Sequence, residues 1–503
     1  MTVEQLLRAL RPRVAFDERA LSAGHTALQK TCTGVTHDSR QVTPGSVFVA
    51  LRGLKMDGVE FARQAIASGA AAIVSERAAA EADVPWITVA DARLALAHLA
   101  AEFNGHPSHH MRVIGITGTN GKTTTGYLVS AILEAAGIKC GLMGTVTYRL
   151  GNRDFEATRT TPEAPDVQAF MREMLNSACG ACVMEVSSHA LALRRVDGIR
   201  FAAGIFTNLT RDHLDFHAGM DDYFAAKRRL FEMLPDDAPA VINIDDPRGA
   251  SLVEIVKSPI TYGLTKSAMV APGSLSYSLD GLQFDIRSPK GVIHVRSKLV
   301  GRPNVYNILA AVAATSALDV PTAAIEQGLD RLAGVPGRFE IASSPTDDVT
   351  VVVDYAHTDD ALRNLLETAR PMAVQRLITV FGAGGDRDRT KRPLMGMVAA
   401  RLSDIVVITS DNPRSEDPNR IIDEVKRGAE SEVRQSGAEI LIRPDRRDAI
   451  LEAVGTAASG DVVLIAGKGH EKYQEVSGQT FSFDDVEVAR EALTSRRLKS
   501  RAV

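Results

Sequence analysis

The sequence predicts an α/β protein of three domains, and three observations carry that prediction. The chain has 503 residues, and at about 150 residues per domain such a length suggests about three. Short β-branched runs alternate with Ala-rich helical stretches along most of it, the pattern of strand–helix–strand units that build parallel sheets. Two breaks interrupt the alternation: a polar, His-rich stretch at 104–110 (NGHPSHH) and a Gly- and Pro-containing stretch at 333–340 (AGVPGRFE). Boundaries there give a small N-terminal α/β domain (1–108), a central domain with a mainly parallel sheet (109–336) and a C-terminal doubly wound domain (337–503).

Composition narrows the class further. Hydrophobic residues make up 45% and charged residues 24%, as in ordinary globular proteins. With 58 basic and 62 acidic side chains, a formal charge of -4 offers no electrostatic footprint for nucleic acid. Only four Cys occur, at 32, 140, 179 and 182, which fits a reducing compartment. The first sixteen residues lack the continuous apolar stretch of a secretory signal. No segment approaches the ~18 apolar residues of a membrane span. The expectation is a cytoplasmic, monomeric enzyme.

In the N-terminal part, 46–53 (SVFVALRG) reads as a strand, 59–70 as a helix and 71–76 as a second strand. A new strand opens at 112–118 (RVIGITG), and alternating strands and helices continue to about Leu332. The last part is the most regular: 349–357, 376–388, 404–414 and 461–471 are each a β-branched run followed by a polar or Gly-rich loop. Such strands belong to a parallel sheet covered on both faces, where ligands bind beyond the carboxyl ends. The four loops should therefore line one cleft.

The central part contains IGITGTNGKTTT (114–125) between a strand and a helix. Gly118 and Gly121 let backbone N–H groups turn inward around a phosphate. Lys122 adds a positive charge, and Thr123 or Thr124 offers a hydroxyl to Mg²⁺. The strict Walker pattern has Gly five residues before the second Gly, where Ile116 stands here. Glu185 ends an apolar strand (ACVMEV), an uncommon place for a carboxylate. His213 lies between Asp212 and Asp215, a hard-cation environment with one imidazole. Lys227 falls on a helix whose apolar face is Phe224, Leu230 and Phe231, and reads plainly as a surface lysine lying along that face. Cys179 and Cys182 form a CxxC, but no second ligand pair follows at zinc spacing, so they read as core thiols.

The GTNGKTT form resembles the Mur ligase family of ATP-dependent amide-forming enzymes. So do HDSR (37–40), TTPEA (160–164), EVSSHAL (185–191), TNLTRDHLDFH (207–217), GRPNVYN (301–307), GRFE (337–340), DYAHT (354–358), GGDRDRTKRP (384–393), DNPR (411–414) and GKGHE (467–471). These motifs span almost the whole chain. The resemblance implies a P-loop ATPase core in the central domain, a Rossmann-like C-terminal domain, and ATP and Mg²⁺ as cofactors. It is strongest toward diaminopimelate-adding members, whose partners would be UDP-N-acetylmuramoyl-L-alanyl-D-glutamate (UDP-MurNAc-L-Ala-D-Glu), meso-diaminopimelate and ATP. The implied reaction makes an acyl phosphate that the incoming amine attacks.

Residue roles follow by resemblance. Gly118, Thr119, Asn120, Gly121, Lys122, Thr123 and Thr124, with Asn304, Arg338 and Asp354, would contact ATP. Thr123, Glu185, His213 and a carbamylated Lys227 would hold Mg²⁺, and Lys122, Glu185, His213 and Lys227 would carry catalysis. Ser39, Thr160, Thr161, Ser187 and Arg195 would take the UDP-sugar. Arg387, Asp411, Asn412, Pro413, Arg414, Gly467 and Glu471 would take diaminopimelate, with Arg414 gripping its distal carboxylate and Glu471 its distal ammonium. Two departures stand out: Leu193 where some relatives have Gln, and Asp359 where DYAHTP is common, a change of loop stiffness more than of chemistry. The alternatives are a lysine-adding or folylpolyglutamate-type ligase, which DNPR and the HDSR-containing first domain disfavour, and a nucleotide-switch binding protein, which would not need Glu185, His213 and Lys227 together.

Overall fold

The computed structural model describes residues 1–16, 21, 26–53, 56–78, 82–278 and 281–501. Within them three parallel-rich sheets follow one another along the chain. The first contains β1 (Val35–Thr36), β2 (Val47–Ala50), β3 (Ala72–Ser75) and β4 (Trp86–Thr88), all parallel and in that order. Its apolar runs are continuous because both faces are covered. Val47 and Val49 pack with Leu6, Leu7 and Leu96, whereas Phe48 and Ala50 pack with Ala62 and Ala65. The helix expected over 59–70 opens as a 3-10 turn, Gly58–Phe61, before the α-helix Ala62–Ala67.

The central sheet contains β5 (Arg112–Thr117), β6 (Cys140–Met143), β7 (Thr147–Leu150), β8 (Arg153–Glu156), β9 (Ala181–Glu185), β10 (Ala203–Phe206), β11 (Ala240–Asn243) and β12 (Pro259–Tyr262). Their order is β12-β11-β10-β5-β9-β6-β7-β8. Pairing is parallel as far as β6 and antiparallel through β7 and β8. One face packs on the helices Lys122–Ala135 and Arg302–Ala317, the other on Ala164–Asn176 and Met220–Glu232. Cys182 points into this second core with Met184, and Cys179 joins it. Burial raises both thiols, as expected of inert core cysteines.

Beyond β12 the expected alternation of strands and helices fails. Strands β13 (Ala271–Pro272), β14 (Ser276–Ser278), β15 (Gly281–Ser288) and β16 (Gly291–Ser297) form a small antiparallel sheet instead. The reason is legible in β15: Leu282, Phe284 and Ile286 are buried while Gln283, Asp285 and Arg287 between them face out. That strict period of two marks a half-buried strand, with one face on the core and one in water.

The C-terminal sheet is the parallel one expected. It contains β17 (Glu340–Ile341), β18 (Thr350–Asp354), β19 (Leu377–Phe381), β20 (Ile405–Ile408), β21 (Glu439–Ile442) and β22 (Val462–Ala466), in the order β17-β18-β22-β19-β20-β21 with only β17 antiparallel. Val351, Val353, Val463 and Ile465 face one core; Val352, Leu377, Leu464 and Ala466 face the other. Because β22 inserts between β18 and β19, the loops that follow these strands and β20 emerge side by side. A hairpin of β23 (Tyr473–Val476) and β24 (Gln479–Ser482) leaves the end of the last loop. Arg446, fully buried, grips Asp485 at 2.8 and 2.7 Å and ties the final helix to the sheet. Among the described residues no helix is long and apolar enough to cross a membrane.

Candidate active site

The loop after β5 has the backbone its sequence demands. Gly118 and Gly121 have φ of +149° and +85°, and a Cβ on either would collide with the side chain of Thr207 or Asn307. Gly121 caps the helix Lys122–Ala135, whose first N–H groups are left open toward an anion. Thr119 and Asn120 are anchored outside the helix: Thr119 Oγ1 lies 3.2 Å from the Tyr223 hydroxyl, and Asn120 N–H donates to Asn208 Oδ1 at 2.9 Å. Thr124 is buried in the first helical turn.

Two lysines converge on this loop. Lys122 Nζ donates to the carbonyls of Gly118 (3.1 Å) and Thr119 (2.7 Å). Lys227 Nζ donates to the same Gly118 carbonyl at 2.7 Å and lies over the Tyr223 ring at 4.4 Å. The plain reading of Lys227 as a surface lysine is therefore wrong: it is 1% exposed. Its helix turns inward at the point where Tyr223 and Leu230 are also buried. Burial, reinforced by the nearby Lys122 charge, pushes the Lys227 amine well below its ordinary range. Burial likewise lowers Lys122, with Glu185 opposing.

Glu185 lies at the carboxyl end of β9, next to the loop. Its Oε1 accepts from Thr123 Oγ1 (2.9 Å) and Thr145 N (2.8 Å), and its Oε2 from Thr145 Oγ1 (3.0 Å). Thr145 Oγ1 also lies 3.1 Å from Thr160 Oγ1. Thr161 Oγ1 donates to the Glu185 carbonyl at 2.8 Å and accepts from Ser187 N–H at 3.0 Å. Arg195 donates to the Thr161 carbonyl (3.1 Å) and pairs with Glu163 (2.7 Å), while its buried Nε has no hydrogen-bond partner among the described residues. Ser39 lies in the first domain, its Oγ 3.1 Å from Gln64 Oε1. Two residues earlier, His37 faces the carboxylates of Glu163 and Asp166. The residues expected to take the UDP-sugar thus lie on a track from the first domain to Glu185.

His213 has a left-handed backbone, φ +55°. Its ring lies edge-on to His189 at 4.9 Å and 3.4 Å from Asp212. Burial holds its imidazole down to about 3 against the pull of Asp212, with His189 and Lys227 adding to the shift. A neutral imidazole is the form that binds a metal. The donors expected to hold Mg²⁺ divide into an adjacent pair, Thr123 and Glu185, and the separate His213 and Lys227. Among the described residues no three or more His, Cys, Asp or Glu side chains form a metal cage.

The third domain closes on this loop. Arg338 donates to Thr123 Oγ1 at 3.1 Å and stacks over Tyr355 at 4.4 Å. Asp360 accepts from Asn120 Nδ2 at 3.0 Å. Asp354 is satisfied by its own domain, taking N–H groups of Phe339 (2.7 Å) and Ala356 (2.8 Å), and burial raises its carboxyl despite Arg338. Asn304 holds the start of its helix through Val300 O (2.7 Å) and accepts from Asn307 Nδ2 (2.9 Å). It reaches the loop through Asn307.

The DNPR and GKGHE loops meet as expected. A Cβ on Gly467 (φ +116°) would collide with Asp411, and one on Gly385 with the Pro413 carbonyl. Asn412 Nδ2 donates to Glu471 Oε2 at 2.8 Å. Arg414 donates to the Gly385 carbonyl at 2.7 Å and lies 3.3 Å from Glu475. Arg387 is not drawn into this cluster: it donates to the Asp386 carbonyl at 3.0 Å and lines an open cavity of about 480 Å³ with Asp215 of the central domain.

Comparison with known proteins fits this geometry. Family models match in three consecutive stretches: Mur ligase family, catalytic domain at 31–104; Mur ligase middle domain at 116–315; and Mur ligase, glutamate ligase domain at 337–469. A UDP-N-acetylmuramoyl-L-alanyl-D-glutamate–2,6-diaminopimelate ligase of Geobacter metallireducens is 46% identical, covering 100% of this chain and 99% of that protein. The chain belongs to the Mur ligase family. A Gloeobacter violaceus protein of the same name is 48% identical over 92% of this chain and 94% of its own. A solved structure of a ligase with that name matches with TM-score 0.68 and 33% identity over 96% of this chain and 99% of that one. A Mycobacterium tuberculosis folylpolyglutamate synthase matches at 18% identity and TM-score 0.59, covering 78% of this chain and 93% of its own, a likeness of fold.

Sequence reasoning missed several residues of this family member's site. Thr145 had no motif signal, and Asn307 closes the GRPNVYN stretch, of which only Asn304 had been given a role. Lys468 had one: a charged residue between two glycines directly after a buried strand, the same setting as DNPR. Arg211, in the same loop as His213, lies 4.0 Å from Asp359 and 3.9 Å from Asp388 across the domain seam.

Proposed function

We propose that this chain is an ATP- and Mg²⁺-dependent ligase that adds meso-diaminopimelate to UDP-MurNAc-L-Ala-D-Glu, working in the cytoplasm. The observation that carries this reading is identity of 46–48% along essentially the whole chain to proteins of that one name. We also propose the domain division 1–108, 109–336 and 337–503, with the UDP-sugar on the first, ATP between the second and third, and the amino acid on the third.

A carboxylate is a poor electrophile, so the reaction needs activation. The glutamate carboxylate attacks the γ-phosphorus of ATP, ADP leaves, and the acyl phosphate is then attacked by the amine with loss of phosphate. The loop N–H groups and Lys122 cradle the phosphates and offset charge on the transferring phosphoryl group. Thr123 and Glu185, 2.9 Å apart, together with His213 and carbamylated Lys227, would hold Mg²⁺. Bound there, Mg²⁺ supplies Lewis-acid stabilisation of the phosphoryl oxygens. Carbamylation joins CO₂ to the neutral Lys227 amine with loss of one proton, and the lowered pKa of that amine favours it. Arg338 brings the third domain onto Thr123, so closure aligns amine and acyl phosphate and excludes water. Arg414 sets the choice of amino acid: lysine, lacking the distal carboxylate, would leave the guanidinium without its ligand partner.

The test is phosphate release from ATP with Mg²⁺ and UDP-MurNAc-L-Ala-D-Glu, adding meso-diaminopimelate or L-lysine separately. Turnover with diaminopimelate alone is the expected result. Turnover with lysine alone would overturn the assignment of Arg414, and no amino-acid-dependent turnover would overturn the reaction.

A further inference from the structure

Lys468 is a charged side chain that the assigned machinery leaves without a role. It follows β22 between two glycines and is 0% exposed. Its Nζ donates to Asn412 Oδ1 at 3.0 Å and to Glu471 Oε2 at 3.0 Å, and it lies 5.4 Å from the Tyr473 ring centre. The triangle is closed by Asn412, whose Nδ2 donates to the same Glu471 Oε2 at 2.8 Å and whose Oδ1 also takes Glu475 N–H at 3.0 Å. Every polar atom of the Asn412 side chain is thereby committed, which fixes its orientation. Among the described residues the donors to the Glu471 side chain, Asn412 and Lys468, converge on Oε2 and leave Oε1 for a ligand, and the side chain keeps 15% exposure.

We propose that Lys468 is a positioning residue for the incoming amino acid: it clamps Asn412 and Glu471 into one geometry that presents Glu471 Oε1 to the ligand's ammonium. The inference rests on the diaminopimelate-ligase reading and deepens it. Charge count supports it. Arg446 is neutralised by Asp485 and Arg414 lies against Glu475, so the inner pocket holds Asp411, Glu471 and Lys468. Two carboxylates and one ammonium leave a single negative charge, matched to one ammonium. Without Lys468, two buried carboxylates would face each other, and such pairs hold a proton.

The surroundings act in the same direction. Burial and the adjacent Asp411 raise the Glu471 carboxyl above its usual range, and Lys468 and Asn412 oppose them. Burial pushes Asp411 upward too, but Lys468, Arg446 and His357 outweigh it and hold Asp411 low. Tyr355, Tyr473 and Arg446 also face Glu471. The ionised carboxylate is the binding form, so affinity for the amine is present above the Glu471 pKa and lost as pH falls through it. Removing Lys468 moves that loss to higher pH.

The experiment uses the full-length enzyme and two variants, Lys468→Met and Lys468→Gln; the second keeps a donor where the first leaves none. For each, KM for diaminopimelate, ATP and UDP-MurNAc-L-Ala-D-Glu is measured separately, with kcat/KM for diaminopimelate from about pH 5.5 to 9. Expected is a rise of ~10-fold or more in KM for diaminopimelate alone, with the acid limb moved up by roughly one unit, as loss of a buried charge partner implies. Lys468→Met combined with Glu471→Gln should be no worse than Glu471→Gln, because both act through one carboxylate. If all three KM values rise together, or the double variant's losses add, Lys468 is scaffold and the proposal fails. Should the Met variant not fold, an unmoved acid limb in Lys468→Gln overturns it equally. Wild-type enzyme without diaminopimelate-dependent turnover would instead overturn the underlying reading.

Discussion

The phosphate loop and the amino-acid pocket are both rich in charge, yet they are built on opposite plans. At the loop, Lys122 and Lys227 are held by backbone carbonyls of Gly118 and Thr119, and no carboxylate touches either ammonium among the described residues. In the pocket each cation already has an acidic partner: Lys468 with Glu471, Arg414 with Glu475, Arg446 with Asp485. The first site waits for a ligand that brings its own negative charge. The second, proposed to recognise a zwitterion that brings both signs, has its cations paired beforehand, keeps only the one negative charge left by Asp411, and can exchange partners on binding. Truncation at the loop should therefore damage the chemical step, and truncation in the pocket should damage affinity.

The largest effect is expected at the loop. Lys122→Ala removes the phosphate-loop charge proposed to offset the transferring phosphoryl group, and kcat should fall roughly 10²–10³-fold, read as phosphate release at saturating substrates. A variant that raised only KM for ATP would mean Lys122 binds ground state and transition state alike. Next comes Lys227→Ala. If Lys227 carries the proposed carbamate, its loss should lower activity by about 10–100-fold, the scale of a disturbed metal environment, and high concentrations of short carboxylic acids should restore part of it. An unaffected Lys227→Ala enzyme would remove this lysine from the mechanism and leave the loop with one working cation.

In the pocket the expected signature changes. Arg414→Ala should raise KM for diaminopimelate about 10–100-fold, as loss of a charge-assisted contact of ~1.5–3 kcal/mol implies, with kcat little changed. Selectivity over lysine should fall with it. Unchanged selectivity would show that the distal carboxylate is read elsewhere, with Arg387 the first place to look, since it lines the adjoining cavity.

The same contrast explains what the sequence disclosed. The loop was legible because one short segment carries its glycines, lysine and hydroxyls, and because a strand must precede it and a helix follow it. The four C-terminal loops were legible as neighbours because continuous β-branched strands imply a parallel sheet with its loops at one edge. The burial of Lys227 was not legible: its helix has an ordinary apolar face, and only tertiary packing of Tyr223 against Thr119 turns the lysine inward. Lys468 was passed over for a related reason. Its partners are 56 residues away at Asn412 and three away at Glu471, and only the insertion of β22 beside β19 brings the two loops together. The antiparallel excursion at β13–β16 could have been read, since β15 alternates strictly; the expectation of continuing strands and helices overrode it.

The smallest effect sharpens the comparison at the seam between the two sites. Asp359, which stands where Pro is common in relatives, was expected to alter loop stiffness. In the structure it is the first residue of the helix Asp359–Ala369, directly after the Thr358 cap, and its buried Oδ1, 4.0 Å from Arg211, has no hydrogen bond among the described residues. Proline suits that first helical position, and Asp359→Pro should gain about 0.4–1 kcal/mol from a stiffer unfolded chain. It should lose about 0.3–1 kcal/mol of helix-dipole interaction, so the net change in unfolding free energy is expected to stay within ~1 kcal/mol. What remains is the cross-domain term. Arg211 would keep Asp388 at 3.9 Å, and closure would be weakened without touching either site. KM for ATP, which is proposed to span the seam, should then rise by a few fold while KM for the UDP-sugar stays constant, since screened pairs at this distance are worth at most about 1 kcal/mol. Equal KM values in both enzymes would confine Asp359 to its helix and leave Arg338 and Asp360 as the contacts through which the third domain meets the phosphate loop.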